Sequence, residues 1–371
     1  MAGRGNQRIE ALTGLRIFAA LAVFLSHLRP FDGMNPLVAN FMASGYNGVT
    51  LFFVLSGFVL AWNYFDKLVT FSRRNIYSFA VARIARIYPL YLAALLFAAW
   101  PSLVSGEVQA WWVLHVLALQ AWSPDLAVAY GLNPPAWSIG IEFFLYAAFP
   151  LLVVGMGRAT TTPKRLLLVA LAAVASLAIV TGLLVLAHAD SLPWQDAWSA
   201  HRWLYRTPLT RLTDFVVGMV AALLVRRARV PVRWGSLAQA CGIVLFVVIM
   251  SSPSVLFTAW SWDIAYVVPS GLLLWGLAWS PGTPVGRLLA SRPMVFAGEA
   301  SFAFYLFHRP LIQIFSSHPT DVARWWLEAV GLFVVVFAVS AGAHILIERP
   351  AQRWLRSRLD RPGLDVARAT A

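Results

Sequence analysis

The chain has 371 residues, of which 60% are hydrophobic and 12% charged. Its mean hydropathy is +0.70. This excludes an ordinary soluble domain, in which about a quarter of residues carry charge. The formal net charge of +13 falls between apolar runs rather than on one face, so it reads as the basic bias of cytoplasmic loops and excludes nucleic acid as the partner.

Runs of about twenty apolar residues are long enough to cross a bilayer. They predict spans over 12–29, 47–65, 87–104, 137–156, 165–187, 211–226, 236–253, 263–280, 294–316 and 326–347. The first run contains Arg16 and lacks a small-residue cleavage site, so it is expected to stay as a span and not be removed as a signal peptide. The stretch 110–123 is apolar but short. Treated as a re-entrant or interfacial piece, it puts Arg73, Arg74, Arg83, Arg86, Arg158, Lys164, Arg165, Arg226, Arg227, Arg229 and Arg233 on one side, together with the arginines after Ala351. The positive-inside rule makes that side the cytoplasm. Arg202, Arg206, Arg211 and Arg324 are left on the other side as exceptions.

The expected fold is therefore an all-α polytopic bundle of about ten spans in the plasma membrane, with both termini cytoplasmic. Residues 1–350 form the transmembrane domain and 351–371 a basic tail. The lone Cys241 excludes an internal disulfide and reads as a small buried hydrophobe. Outer loops near 30–46, 105–136 and 188–210 are rich in Trp, Pro and Asn. Their tryptophans suit an interfacial belt or, alternatively, a stacking platform for a sugar ring.

Ionisable groups inside spans are costly and mark function by default. Arg16 and His27 are eleven residues apart, which places them on one helix face separated by about 16.5 Å along the axis. Glu142 enters its span at a depth near that of His27, so a Glu–His pair is expected. Such a pair would fix the imidazole tautomer and stabilise its charged form. Tyr146 follows one turn later as a hydrogen-bond partner or substrate contact. Tyr305 and His308 share a face with Ser301 and are candidates for binding an acceptor. Arg83 and Arg86, three apart on a first helical turn, could clamp phosphate on a nucleotide-bearing thioester. Each has a plainer reading: a snorkelling arginine, a packing histidine, a packing carboxylate, ordinary basic loop charge. A metal site of His27, Glu142 and His308 lacks any close-spaced ligand pair, so no metal is expected.

The order of motifs is informative. LTGLRIFAALAVFLSH, GVTLFFVLSGFVLA, RIARIYP, AWSIGIEFFLY, SFAFYLFHRP and IERP together resemble the acyltransferase-3 family of integral-membrane O-acyltransferases, over nearly the whole chain. The resemblance implies transfer of an acyl group, usually acetyl from cytoplasmic acetyl-CoA, to a hydroxyl of a carbohydrate or a hydroxylated natural product. It implies no permanently bound cofactor. Arg16 and His27 fall on the family's essential pair, Arg83 and Arg86 on its basic motif, and Glu142 on its acidic residue. The opening LTGLR, where many carbohydrate-modifying members read IDGLR, together with the lack of an appended hydrolase-like domain, looks more like compact members that modify macrolides.

The expected mechanism docks acyl-CoA on Arg83 and Arg86, draws its pantetheine end inward with Arg16, and uses His27 as general base or, alternatively, as the residue transiently acylated. The rival reading is a proton-coupled transporter whose relay is Arg16, His27 and Glu142.

Overall fold

The computed structural model describes residues 9–159, 162–228, 230–317 and 321–359. The described residues are helical, with turns and loops between helices and no strand among them. The helices in chain order are α1 (Glu10–Ser26), α2 (Pro36–Ala43), α3 (Gly48–Leu68), α4 (Arg73–Ser105), α5 (Trp112–Val116), α6 (Leu126–Ala129), α7 (Trp137–Ala159) and α8 (Pro163–Leu186). They continue with α9 (Leu212–Arg227), α10 (Val232–Met250), α11 (Ile264–Trp279), α12 (Pro284–Leu289), α13 (Arg292–Phe315), α14 (Val322–Ala343) and α15 (Arg349–Leu359). A π-helical turn, His344–Glu348, joins the last two. Arg229 and the chain after residue 359, including Arg361, lie outside the described residues.

Each expected span overlaps one long helix. By length and hydropathy six helical segments can cross a membrane, and the protein is a multi-pass membrane protein on that ground. Helices α1, α9 and α11 are 17, 16 and 16 residues long, and α13 carries Arg292, Glu299, His308 and Arg309, so these four fall outside that measure. The stretch 110–123 holds only the five-residue α5 and a 3₁₀ turn at Gln120–Trp122. That is too short to cross a bilayer.

Local chemistry sets the boundaries. Pro163 and Pro284 occupy the first helical position, where a missing N–H costs nothing. The preceding Thr162 and Thr283 side chains accept from the Arg165 and Gly286 amides at 3.4 and 3.0 Å. Asp321 caps α14 in the same way at 2.9 Å.

Two helix crossings organise the interior, and both depend on missing side chains. A Cβ added at Gly218 of α9 would lie 1.8 Å from the Val54 carbonyl oxygen of α3. One added at Gly298 of α13 would lie 1.8 Å from the Thr13 oxygen of α1. In a bilayer, where lipid is as apolar as leucine, such close backbone approach supplies the packing that holds helices together. Helix α8 lies at the rim, with 11% of its apolar window buried, against 72% for the segment that contains α3.

The arginines that broke the charge rule have structural partners. Arg211 is fully buried, with Nη1 2.5 Å from Asp263 and 3.1 Å from Asp214. It also donates to Thr50 Oγ1 and to the Tyr205 and Trp262 carbonyls. Arg206 is buried and donates to the Ser123 and Pro124 carbonyls at 3.1 and 3.0 Å. Arg202 donates to the Ala197 carbonyl and lies over the Trp203 ring. These three brace the loops and helix ends instead of marking a topology. Arg324 faces Asp321 at 3.4 Å on the surface.

Candidate active site: two cavities around α1

Two cavities lie along α1. The first, of about 170 Å³, is lined by Arg16, Arg83, Arg86, Ser56, Glu142 and Tyr146, among others. The second, of about 780 Å³, is lined by His27, Tyr46, Tyr130, Trp137, Trp194, His201, Tyr205, Trp262 and Arg309, among others. Val49 and Tyr305 line both. Arg16 lies on α1 and His27 just past its end, and the two line different chambers instead of one wall.

His27 is the C-cap of α1 and already lies past its last turn. Its Nδ1 is 2.8 Å from the Val23 carbonyl oxygen. A carbonyl only accepts, so Nδ1 carries the proton there and Nε2 keeps the lone pair. His308 is fixed in the same sense: its Nδ1 faces the Tyr305 carbonyl at 2.6 Å. Its Nε2 then offers a lone pair toward His27 Nδ1, 3.4 Å away, and the two rings meet edge to face with centroids 5.1 Å apart. The result is a His27 ring with its proton held at Nδ1, on a wall of the larger cavity.

The expected Glu142–His27 pair does not form. Glu142 Oε1 accepts from Tyr146 Oη and, at 3.4 Å, from Ser56 Oγ, and it lines the Arg16 cavity. Tyr146, one turn along α7, satisfies the carboxylate locally, as its spacing predicted. His27 meanwhile turns back onto its own helix. The separation also takes Glu142 away from His27 and His308, so these three do not form one ligand set.

Arg83 and Arg86 both reach the first cavity, each with a partner. Arg83 Nη2 donates to Tyr64 Oη at 2.9 Å, and its guanidinium lies 5.0 Å from the centre of the Tyr64 ring. Arg86 is ion-paired with Glu348, which is 1% exposed. Glu348 in turn accepts from His344 Nδ1 at 2.8 Å across the π-turn. Glu299 pairs with Arg349 at 2.5 Å beside it. Widened π-turns are rare and concentrate at functional sites. The sequence signal for Glu348 was present in IERP, a carboxylate at the end of an apolar run, and only the resemblance drew attention to it.

Sequence reasoning missed one histidine of the second cavity. His201 comes from the segment between α8 and α9, with Nδ1 donating to the Trp194 carbonyl at 3.1 Å. Its ring packs against Tyr205 and Trp262 at 5.2 and 4.5 Å between centroids. Burial among these rings pushes its pKa down to about 3, so it is a neutral acceptor at ordinary pH. Nothing in the periodicity of a Trp-rich loop distinguishes such a histidine from a packing one.

The family model described as an acyltransferase domain matches residues 9–345. Acyltransferase MdmB of Streptomyces mycarofaciens is 31% identical over 95% of this chain and 93% of its own length. The putative peptidoglycan O-acetyltransferase YrhL of Bacillus subtilis (strain 168) is 26% identical over 93% of this chain but 55% of its own length. A putative O-acetyltransferase of Staphylococcus aureus (strain COL) is 24% identical over 84% of this chain and 52% of its own. No solved structure matches the chain. The chain belongs to the acyltransferase-3 family, and it is a membrane O-acyltransferase. The transporter reading loses its relay as well, since Glu142 and His27 are not connected.

Proposed function

We propose that the protein moves an acyl group, acetyl in the first instance, from acyl-CoA to a hydroxyl of a carbohydrate or a hydroxylated natural product such as a macrolide. The observation that carries the reading is the pair of fixed tautomers at His27 and His308, which leaves His27 Nε2 as a free base beside a large aromatic cavity. The ten long helices cross the plasma membrane ten times, with both termini and the Arg83–Arg86 end in the cytoplasm. Acyl-CoA enters there, its phosphates drawn by Arg83, Arg86 and Arg16. The acceptor occupies the aromatic cavity, where flat rings suit the apolar face of a sugar or lactone.

In the transfer step, His27 Nε2 takes the proton of the acceptor hydroxyl as its oxygen attacks the thioester carbonyl. The C–S bond then breaks, and the CoA thiolate recovers that proton from the imidazolium. His308 holds the His27 ring and shares its Nδ1 proton. Glu142, hydrogen-bonded by Tyr146 and Ser56, sets the field around Arg16 instead of charging His27. Purified protein in nanodiscs with labelled acetyl-CoA tests this, scored by CoA release and label transfer to pooled sugars and macrolides. Transfer that needs both His27 and the Arg83/Arg86 pair is the expected result. Absence of acyl-CoA binding by the folded protein would overturn it.

A further inference from the structure

Val49 and Tyr305 form the boundary that the two cavities share. Both are nearly buried, at 2% and 5% exposure, yet each lines both chambers. Tyr305 is held in the wall at both ends. Its hydroxyl donates to the Pro135 carbonyl at 3.1 Å and lies 2.9 Å from Ser138 Oγ. Its ring meets Phe52 edge-on at 5.8 Å and the His308 ring at 5.7 Å. Its own carbonyl holds His308 Nδ1. The residue that closes the wall therefore also supports the histidine that touches His27. Arg16 lines one chamber and His27 the other, and Val49 and Tyr305 are common to both.

We propose that Tyr305, with Val49, is a gate between the donor and acceptor cavities. Release of its hydroxyl from Pro135 and Ser138 lets the ring swing and admits the acyl end of the donor. The inference rests on the assignment of the two cavities to donor and acceptor. A slender pantetheine arm suits such a narrow opening, and the space freed by the ring and Val49 limits which acyl groups pass. Tyr305 is thus a positioning and specificity residue, and His27 remains the base.

The test places a cysteine in the wall, Val49→Cys in a Cys241→Ser background, which leaves no other thiol in the chain. Sealed vesicles of either orientation are treated with a membrane-impermeant thiol reagent, with and without acetyl-CoA. With Tyr305 present, the cysteine should react slowly from at least one face. Adding Tyr305→Ala should speed labelling from that face by more than the roughly tenfold that loss of two ordinary hydrogen bonds alone gives. It should make the site reachable from both faces. Tyr305→Phe, which keeps the ring and loses only the hydroxyl contacts, should give an intermediate rate and controls for collapse of the wall. Labelling from one face only in Tyr305→Ala, or no labelling of any variant, overturns the gate. Protection by acetyl-CoA from the Arg83 face is expected. Its absence with two-sided labelling would sink the donor assignment while leaving the gate in place.

Discussion

The two cavities on α1 are built from opposite materials. The smaller is charged, and two of its three arginines are already partnered: Arg86 by Glu348 and Arg83 by Tyr64. The larger is aromatic, and His27 lines it with Nδ1 tied to the Val23 carbonyl, which leaves the ring's other nitrogen to carry the lone pair. The difference suits two tasks. Cations held in advance by replaceable partners can exchange those partners for phosphate oxygens without crossing a bare buried-charge state. A base has to be available before the acceptor arrives, and a neutral imidazole with a fixed tautomer meets that need.

The contrast breaks most sharply at His27. His27→Ala should lower kcat by about 10²–10⁴, the range for a lost general base, with acyl-CoA affinity little changed. Labelled-donor binding measured beside transfer would separate the two, and equal losses in both would place His27 in the donor site. The double variant Arg83→Ala/Arg86→Ala should do the reverse. Two charge-assisted contacts at about 1.5–3 kcal/mol each predict at least a tenfold rise in the KM for acyl-CoA, while kcat changes less.

Glu348→Gln sharpens the comparison. Removing one member of a buried pair strands the other charge and costs about 3–5 kcal/mol where burial is complete. Arg86 is 22% exposed, so a smaller loss of thermal stability is expected. Acyl-CoA should then stabilise the variant more than the wild type, because its phosphates replace the missing carboxylate. An equal shift in both would show that Arg86 does not meet the donor.

The smallest effect lies on the acceptor side. His201 is depressed to about 3 from an ordinary value near 6.5. Between those limits the unfolded chain binds a proton that the folded one refuses, so stability falls as pH drops from about 6.5 to 3. His201→Gln should flatten that slope in thermal scans of purified protein while leaving donor KM untouched. An unchanged slope would mean that His201 is charged in the fold.

Much of this organisation was legible in the residues. Apolar length alone marked the long helices, and the ionisable groups Arg16, His27, Glu142 and His308 all turned up on cavity walls or directly behind them. Tyr146 met Glu142 because a four-residue spacing on a helix leaves little choice. What failed was the partner of each charge. Depth along a helix does not say which neighbour it faces, so Glu142 was matched to His27 when Tyr146 and Ser56 satisfy it. Arg202, Arg206 and Arg211 looked like topological exceptions because charge counting cannot see a carbonyl or a buried aspartate far along the chain. His201 lay in a loop whose composition carries no periodic signal, and Glu348 at the end of an apolar run where its partner could not be read.

The contact between His27 and His308 joins residues 281 positions apart. At a synthesis rate of about 5–20 residues per second, His27 waits roughly a quarter of a minute to a minute for its neighbour to leave the ribosome. During that interval α1 sits in the bilayer with Arg16 exposed to whatever lies beside it and its glycine seam for α13 unfilled. Chains stalled before α13 should therefore be more open to proteolysis than the completed chain.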